Sequence, residues 1–197
     1  MENKNFFQRH MGWTIFLGIV AVIVLVGFWL VGQRNSFIRQ NEAVASQWAQ
    51  VENQYQRRFD LIPNVVNTVK GIAAQEQEVF GAIADARTRY AGATTVDQKA
   101  AAAGQVESAL GRLLVITENY PTLLSSQSFR DLTIELEGTE NRISVERMRY
   151  NVLVQNYNAS VQIFPGSLAA AVFGYGPHEY FNVSDEAQTV PTVNFEN

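Results

Sequence analysis

Between Met11 and Gly32 the chain reads MGWTIFLGIVAVIVLVGFWLVG, without one ionisable side chain. Such a run must be covered either by lipid or by a large amount of protein. As a helix rising about 1.5 Å per residue it extends roughly 33 Å, close to the hydrocarbon thickness of a bilayer. Trp13 lies near one end and Phe28 and Trp29 near the other, where amphipathic rings favour the membrane interface. A cleaved signal peptide has a shorter apolar core, about 7–15 residues, ending at small residues. Here the run is longer and passes into GQRNSF. The expectation is a retained transmembrane anchor over 11–32, preceded by a short polar tail over 1–10. Lys4 and Arg9 flank it on one side and Arg34 and Arg39 on the other, so basic residues do not orient it. Gly12, Gly18, Gly27 and Gly32 never fall at GxxxG spacing.

The rest of the chain carries helical periodicity. Val44, Trp48, Val51, Tyr55, Ile62, Val66, Val69 and Ala73 form one seam, and the same phase continues through Phe80, Ile83, Arg87 and Tyr90. Pro63 interrupts this pattern by removing a donor and crowding the Phe59 carbonyl, which predicts a kink there with the apolar phase kept on both sides. YAGATT, over 90–95, is a connection. Thr95 or Asp97 then caps a second helix with Val106, Leu110, Leu113 and Thr117 on its inner face, ended by Pro121. A third helix opens at Ser125 or Ser126, with Phe129, Leu132, Leu136, Ile143, Tyr150, Val154, Tyr157 and Val161 on one stripe, and stops at Pro165–Gly166. The predicted fold is all-α: the transmembrane helix, then a long up-and-down antiparallel bundle over 33–166. It has three long helices, or four if the kink divides the first, followed by a short helix and tail over 167–197. Taken straight, the three helices measure roughly 85, 35 and 60 Å. They cannot cover one another fully, and the apolar surface left over argues for self-association.

Composition narrows the function. With no cysteine there are no disulfides, thiolate metal sites or thiol nucleophiles, and a net charge of −4 gives no nucleic-acid footprint. After the anchor the sole histidine is His178, between Pro177 and Glu179, and it reads as a solvated loop residue. There is no Glu-x-x-His pair for a bundle metal site and no phosphate-binding loop. The expectation is therefore no catalytic, metal or cofactor site. Two polar clusters stand beside the apolar stripes: Arg57, Arg58 and Asp60, and Glu140, Asn141 and Arg142 near Arg147 and Tyr150. A solvated face is one reading, and inter-helix pairing that fixes bundle register is the other. No lysine or arginine follows Arg149, and the last stretch is acidic and rich in aromatics. A disordered tail rarely carries rings at that density. Phe173, Tyr175, Tyr180, Phe181 and Phe195 are therefore expected to dock, on this bundle or on a neighbour.

The same clusters carry a family resemblance. The motifs are W-x-x-V-x-x-x-Y-x-R-R-x-D-L-I-P-N-V-V over Trp48–Val66, then Val69–Lys70–Gly71, ELEGTENRI over Glu135–Ile143, and R-x-R-Y-N over Arg147–Asn151. Tyr157–Asn158, IFPGSL over Ile163–Leu168, Val172–Phe173–Gly174 and PTVNF over Pro191–Phe195 follow in order. Together they resemble the LemA family of bacterial membrane proteins over nearly the whole chain. The resemblance implies an anchor followed by a long helical bundle, no catalytic residues, and placement in the cytoplasmic membrane with the bundle outside the cytoplasm. It also suggests a TPM-domain protein as an envelope partner. Expected partners are thus the lipid bilayer, further copies of the chain, and an envelope protein. The leading expectation is a non-enzymatic scaffold; the alternative is a monomeric adaptor or signal-transmitting module.

Overall fold

A computed structural model of the chain describes residues 3–71, 73 and 76–182. Among them there is no strand. The helices are α1 (Asn3–Lys70), α2 (Gln77–Gly92), α3 (Val96–Thr117), α4 (Pro121–Leu124), α5 (Gln127–Gln162) and α6 (Gly166–Phe173). Phe195 and the PTVNF motif lie outside the described residues.

Contacts group the chain into two units that interleave in sequence: Met1–Ala43 with Asn156–Pro177, and Val44–Gln155 with His178–Asn197. Helices α1 and α5 each contribute to both.

In the larger unit the inner face of α1 is Val44, Val51, Tyr55, Phe59, Ile62, Val65 and Val69, all buried. Steps of three, four and seven hold one stripe toward the neighbouring helices. Trp48 and Val66, expected on the seam, are half-buried at its edge. Pro63 is expected to kink the helix with its apolar phase kept on both sides, and the helix is continuous there. Helix α1 runs through Pro63 and ends at Lys70, and α2 begins at Gln77. Pro63 sits on the exposed face, where a lost hydrogen bond is tolerated, while Ile62 and Val65 anchor the inner one. Helix α2 then buries Phe80, Ile83, Ala86 and Tyr90; Arg87, predicted in phase, is half-buried.

Helix α3 starts with a capping box. The Thr95 hydroxyl accepts from the Gln98 amide at 3.2 Å, and the Gln98 carboxamide accepts from the Thr95 amide at 3.4 Å. Its inner face includes Ala100, Ala102, Ala103, Val106, Ala109, Leu110, Leu113 and Thr117, and its small side chains let α2 and α3 pack closely. Helix α5 buries Phe129, Leu136, Ile143, Tyr150, Val154, Tyr157 and Val161, with Leu132 half-buried.

In the smaller unit, α1 is exposed at every position from Gly12 to Val26, and its apolar window has a mean hydropathy of 2.8. Trp13 and Phe28 are exposed and Trp29 is half-buried. Phe37 is fully buried, with its ring 5.3 Å from that of Tyr175. Gly166 lies against Phe37, and a Cβ there would collide with the Ser160 carbonyl near the end of α5, so the close approach of α6 to the end of α5 requires glycine. A cis peptide joins Phe164 to Pro165, and Gly174, at φ 73°, closes α6.

Candidate functional site

The larger unit contains a buried charged network drawn from three helices. Arg58 on α1, with a side chain only 8% exposed, donates to the Glu140 carboxylate on α5. It also stands 3.9 Å from Glu107 on α3. Arg147 on α5 donates to the same Glu107 oxygen at 3.3 Å, and the Tyr55 hydroxyl donates to it at 3.4 Å. Two arginines and two glutamates thus balance in charge. Arg58 Nε is buried without a hydrogen-bond partner among the described residues.

Burial, and then the neighbouring Glu140 carboxylate, push Glu107 above its usual carboxylate value, against the pull of Arg147, Arg58 and the Tyr55 hydroxyl. Burial likewise pushes the Tyr55 phenol far up, with Glu107 adding to it. A carboxylate raised on folding binds its proton more tightly in the folded state. Its contribution to stability is therefore complete below about 4.5 and lost as pH rises through the higher folded value. Glu107→Gln mimics the protonated form. Denaturant unfolding across a pH series should show the wild type losing stability relative to Glu107→Gln as pH climbs from below the carboxylate range to neutrality. A difference independent of pH would contradict this.

An aromatic lid closes the network. Phe181 is buried, 6.2 Å from the Tyr55 ring and 5.9 Å from that of Trp48, and the Arg147 guanidinium lies 4.7 Å from its centre. Asn151 clasps its backbone: the Phe181 amide donates to Asn151 Oδ1 at 2.8 Å, and Asn151 Nδ2 donates to the Phe181 carbonyl at 3.0 Å. The Tyr150 hydroxyl donates to the Glu179 carbonyl at 3.1 Å, and burial, then Glu179 and Asp97, raise this phenol to about 12. Around them Tyr90 packs 5.0 Å from Tyr55 and 4.8 Å from Phe59. Lys99 pairs with Glu52 and lies over Trp48 and Tyr90.

The structure therefore brings together Arg58 and Glu140 from the two predicted clusters and adds Glu107. Arg57 makes only a 3.6 Å exposed pair with Glu135, and Asp60 accepts from Gln56 of its own helix. Asn141 and Arg142 are exposed, because at this phase α5 turns Ile143 inward and leaves them outside. Of the expected docking rings, Phe181 is buried and Tyr175 packs on Phe37, whereas Phe173 and Tyr180 are exposed. His178 is half-buried rather than solvated, and burial lowers its pKa. Among the described residues no three His, Cys, Asp or Glu side chains gather as a metal-binding group. The Glu107 carboxylate is engaged by Tyr55, Arg58 and Arg147, side chains of the fold itself.

An exposed apolar helix near the N-terminus and a body without strands among the described residues define a membrane-associated helical protein. Residues 47–195 match the LemA family, and the chain belongs to it. It is similar to magnetosome proteins MamQ 1 and MamQ 2 of Paramagnetospirillum magneticum, each 27% identical over 201 residues, spanning 88% of this chain and 74% of theirs. Magnetosome protein MamQ of Magnetospirillum gryphiswaldense is 27% identical over 198 residues, spanning 86% and 73%.

Proposed function

We propose that this protein is a non-enzymatic scaffold anchored in the bacterial cytoplasmic membrane, with its folded body outside the cytoplasm, that self-associates through the outer face of α5. One observation carries the reading. Ile134, Gly138, Asn141, Val145, Met148 and Val152 recur at alternating steps of four and three along α5, the spacing of a coiled-coil seam. Ile134 is 67% exposed and Met148 62%, and a Cβ at Gly138 would meet nothing within 4 Å. A second copy of α5 laid against this stripe would bury it, and Asn141 within the seam would favour one register. The network of Arg58, Glu107, Glu140 and Arg147 serves as an internal register lock that keeps α5 rotated so that this face points outward. The lack of cysteine suits an oxidising compartment. The relatives' description as magnetosome proteins fits a part in a larger membrane-associated structure.

The test is the particle mass of full-length protein in mild detergent, by light scattering with the detergent contribution subtracted. The wild type should give a discrete oligomer. Met148→Glu, which sets an unpaired charge in the seam, should weaken association roughly 100-fold or more while leaving the helical circular-dichroism signal unchanged. A monomeric wild type would sink self-association and favour the second reading, a membrane-anchored adaptor for an envelope protein such as a TPM-domain protein. That reading rests on α1 being one helix from Asn3 to Lys70, able to carry small rotations along its length.

A further inference from the structure

We infer that the corner between α5 and α6 is a second membrane contact, an apolar wedge that enters the headgroup–acyl boundary of the same bilayer that α1 crosses. This rests on α1 being the membrane anchor and adds a lipid-binding surface to it. Within the smaller unit, α1 is covered in part before its apolar run has ended: Trp29 and Leu30 are half-buried while Val31 and Gly32 stay exposed, and Phe37 is fully buried. The other segment of this unit is Asn156–Pro177, and its contact with α1 is fixed by Gly166 and Tyr175 against the Phe37 ring. Phe37 lies five residues past Gly32, about 7.5 Å along the helix axis. The corner is therefore held at the end of the membrane span.

What the corner presents there is not a water-facing surface. Ile163 is 64% exposed, Phe164 74%, Leu168 57% and Val172 67%, while the side of α6 toward protein is Gly166, Ala169 and Ala170. Between Arg149 and His178 there is no charged side chain at all. An interfacial helix normally sets one face in lipid and the opposite one in water. Here protein occupies the opposite side, so the apolar face needs only the lipid. A protein partner is the less favoured occupant, since the patch offers no charge to orient one and adjoins an anchor already in the bilayer.

The absence of cysteine allows clean single-site labelling. Phe164→Cys and Leu168→Cys, both at exposed positions, would each carry an environment-sensitive NBD fluorophore in the full-length protein. Leu25→Cys in the span and Arg112→Cys on α3 serve as references. The proteins are reconstituted in vesicles of phosphatidylcholine and phosphatidylglycerol bearing a nitroxide quencher on the lipid, near the headgroup or in mid-chain. Labels at 164 and 168 should be quenched by the shallow nitroxide about threefold more than the label at 112, and less by the deep one, as expected for insertion to roughly 5–10 Å. Quenching at 164 and 168 no greater than at 112, with the label at 25 still quenched, would overturn the wedge and leave the anchor standing. Loss of quenching at 25 as well would overturn both. Labels at 164 and 168 protected from aqueous iodide yet unreached by lipid nitroxide would overturn the wedge in favour of a contact with protein.

Discussion

Arg58→Ala is expected to lower the unfolding free energy by about 3 kcal/mol, the lower end of the range for a broken buried ion pair. The arginine is 8% exposed and separates two carboxylates, so its removal leaves Glu107 and Glu140 facing one another with Arg147 as the remaining cation. Glu140, at 39% exposure, can draw on water, which holds the loss to that end. Removing the repulsion should recover stability. Arg58→Met combined with Glu140→Leu replaces the pair by apolar groups of similar reach and should restore most of the loss. Urea unfolding followed by circular dichroism checks both variants. A change below about 1 kcal/mol in Arg58→Ala would mean that solvent screens the pair as it would on a surface.

Phe181→Ala should have a comparable local effect with a smaller global one. Truncating a buried phenylalanine costs about 3–5 kcal/mol where the cavity cannot collapse. Phe181, however, is held on a short non-helical segment that can detach while the helices stay folded, so the global loss cannot exceed the docking energy of that segment. The larger signal is therefore local opening. A docking loss of about 3 kcal/mol raises the open population roughly 100-fold. Cleavage after Glu179 by a glutamate-specific protease should accelerate by a similar factor under native conditions. An unchanged cleavage rate would show that the Asn151 clasp and the Tyr150 hydrogen bond hold the segment without the ring.

Much of the helical frame was readable because apolar spacing and burial coincide. Val51, Tyr55, Ile62 and Val69 on α1, and Ile143, Tyr150 and Tyr157 on α5, lie where a period near 3.5 puts them, and all are buried. The position of the first break was not readable. Val69, Ala73, Phe80 and Ile83 stay in phase across 71–76, so periodicity cannot distinguish one helix from two there. Pro63 carried the stronger signal, yet a proline on the outer face costs little when its neighbours are packed. Of the buried network, Arg58 and Glu140 stood out as charges against apolar stripes. Glu107 did not, since one carboxylate in AAAAGQVESALG reads as a solvent-facing residue. Its clue was phase: it lies four residues after Ala103 and three before Leu110, both buried. Aromatic density announced docking in the last stretch without naming the ring. Phe181 is selected by Asn151, thirty residues earlier, a pairing that no local pattern encodes.

The Asn151 clasp also sets an order of events on the ribosome. Tyr55, Tyr90, Glu107 and Arg147 are synthesised long before Phe181. At roughly 5–20 residues per second, seconds pass between the emergence of the charged network and the arrival of the ring that closes it. Through that interval the three helices that carry the network are already available to pack around Glu107. The contact that completes this cluster, the Phe181 ring against Tyr55 and the Arg147 guanidinium, is thus the last that the growing chain can make.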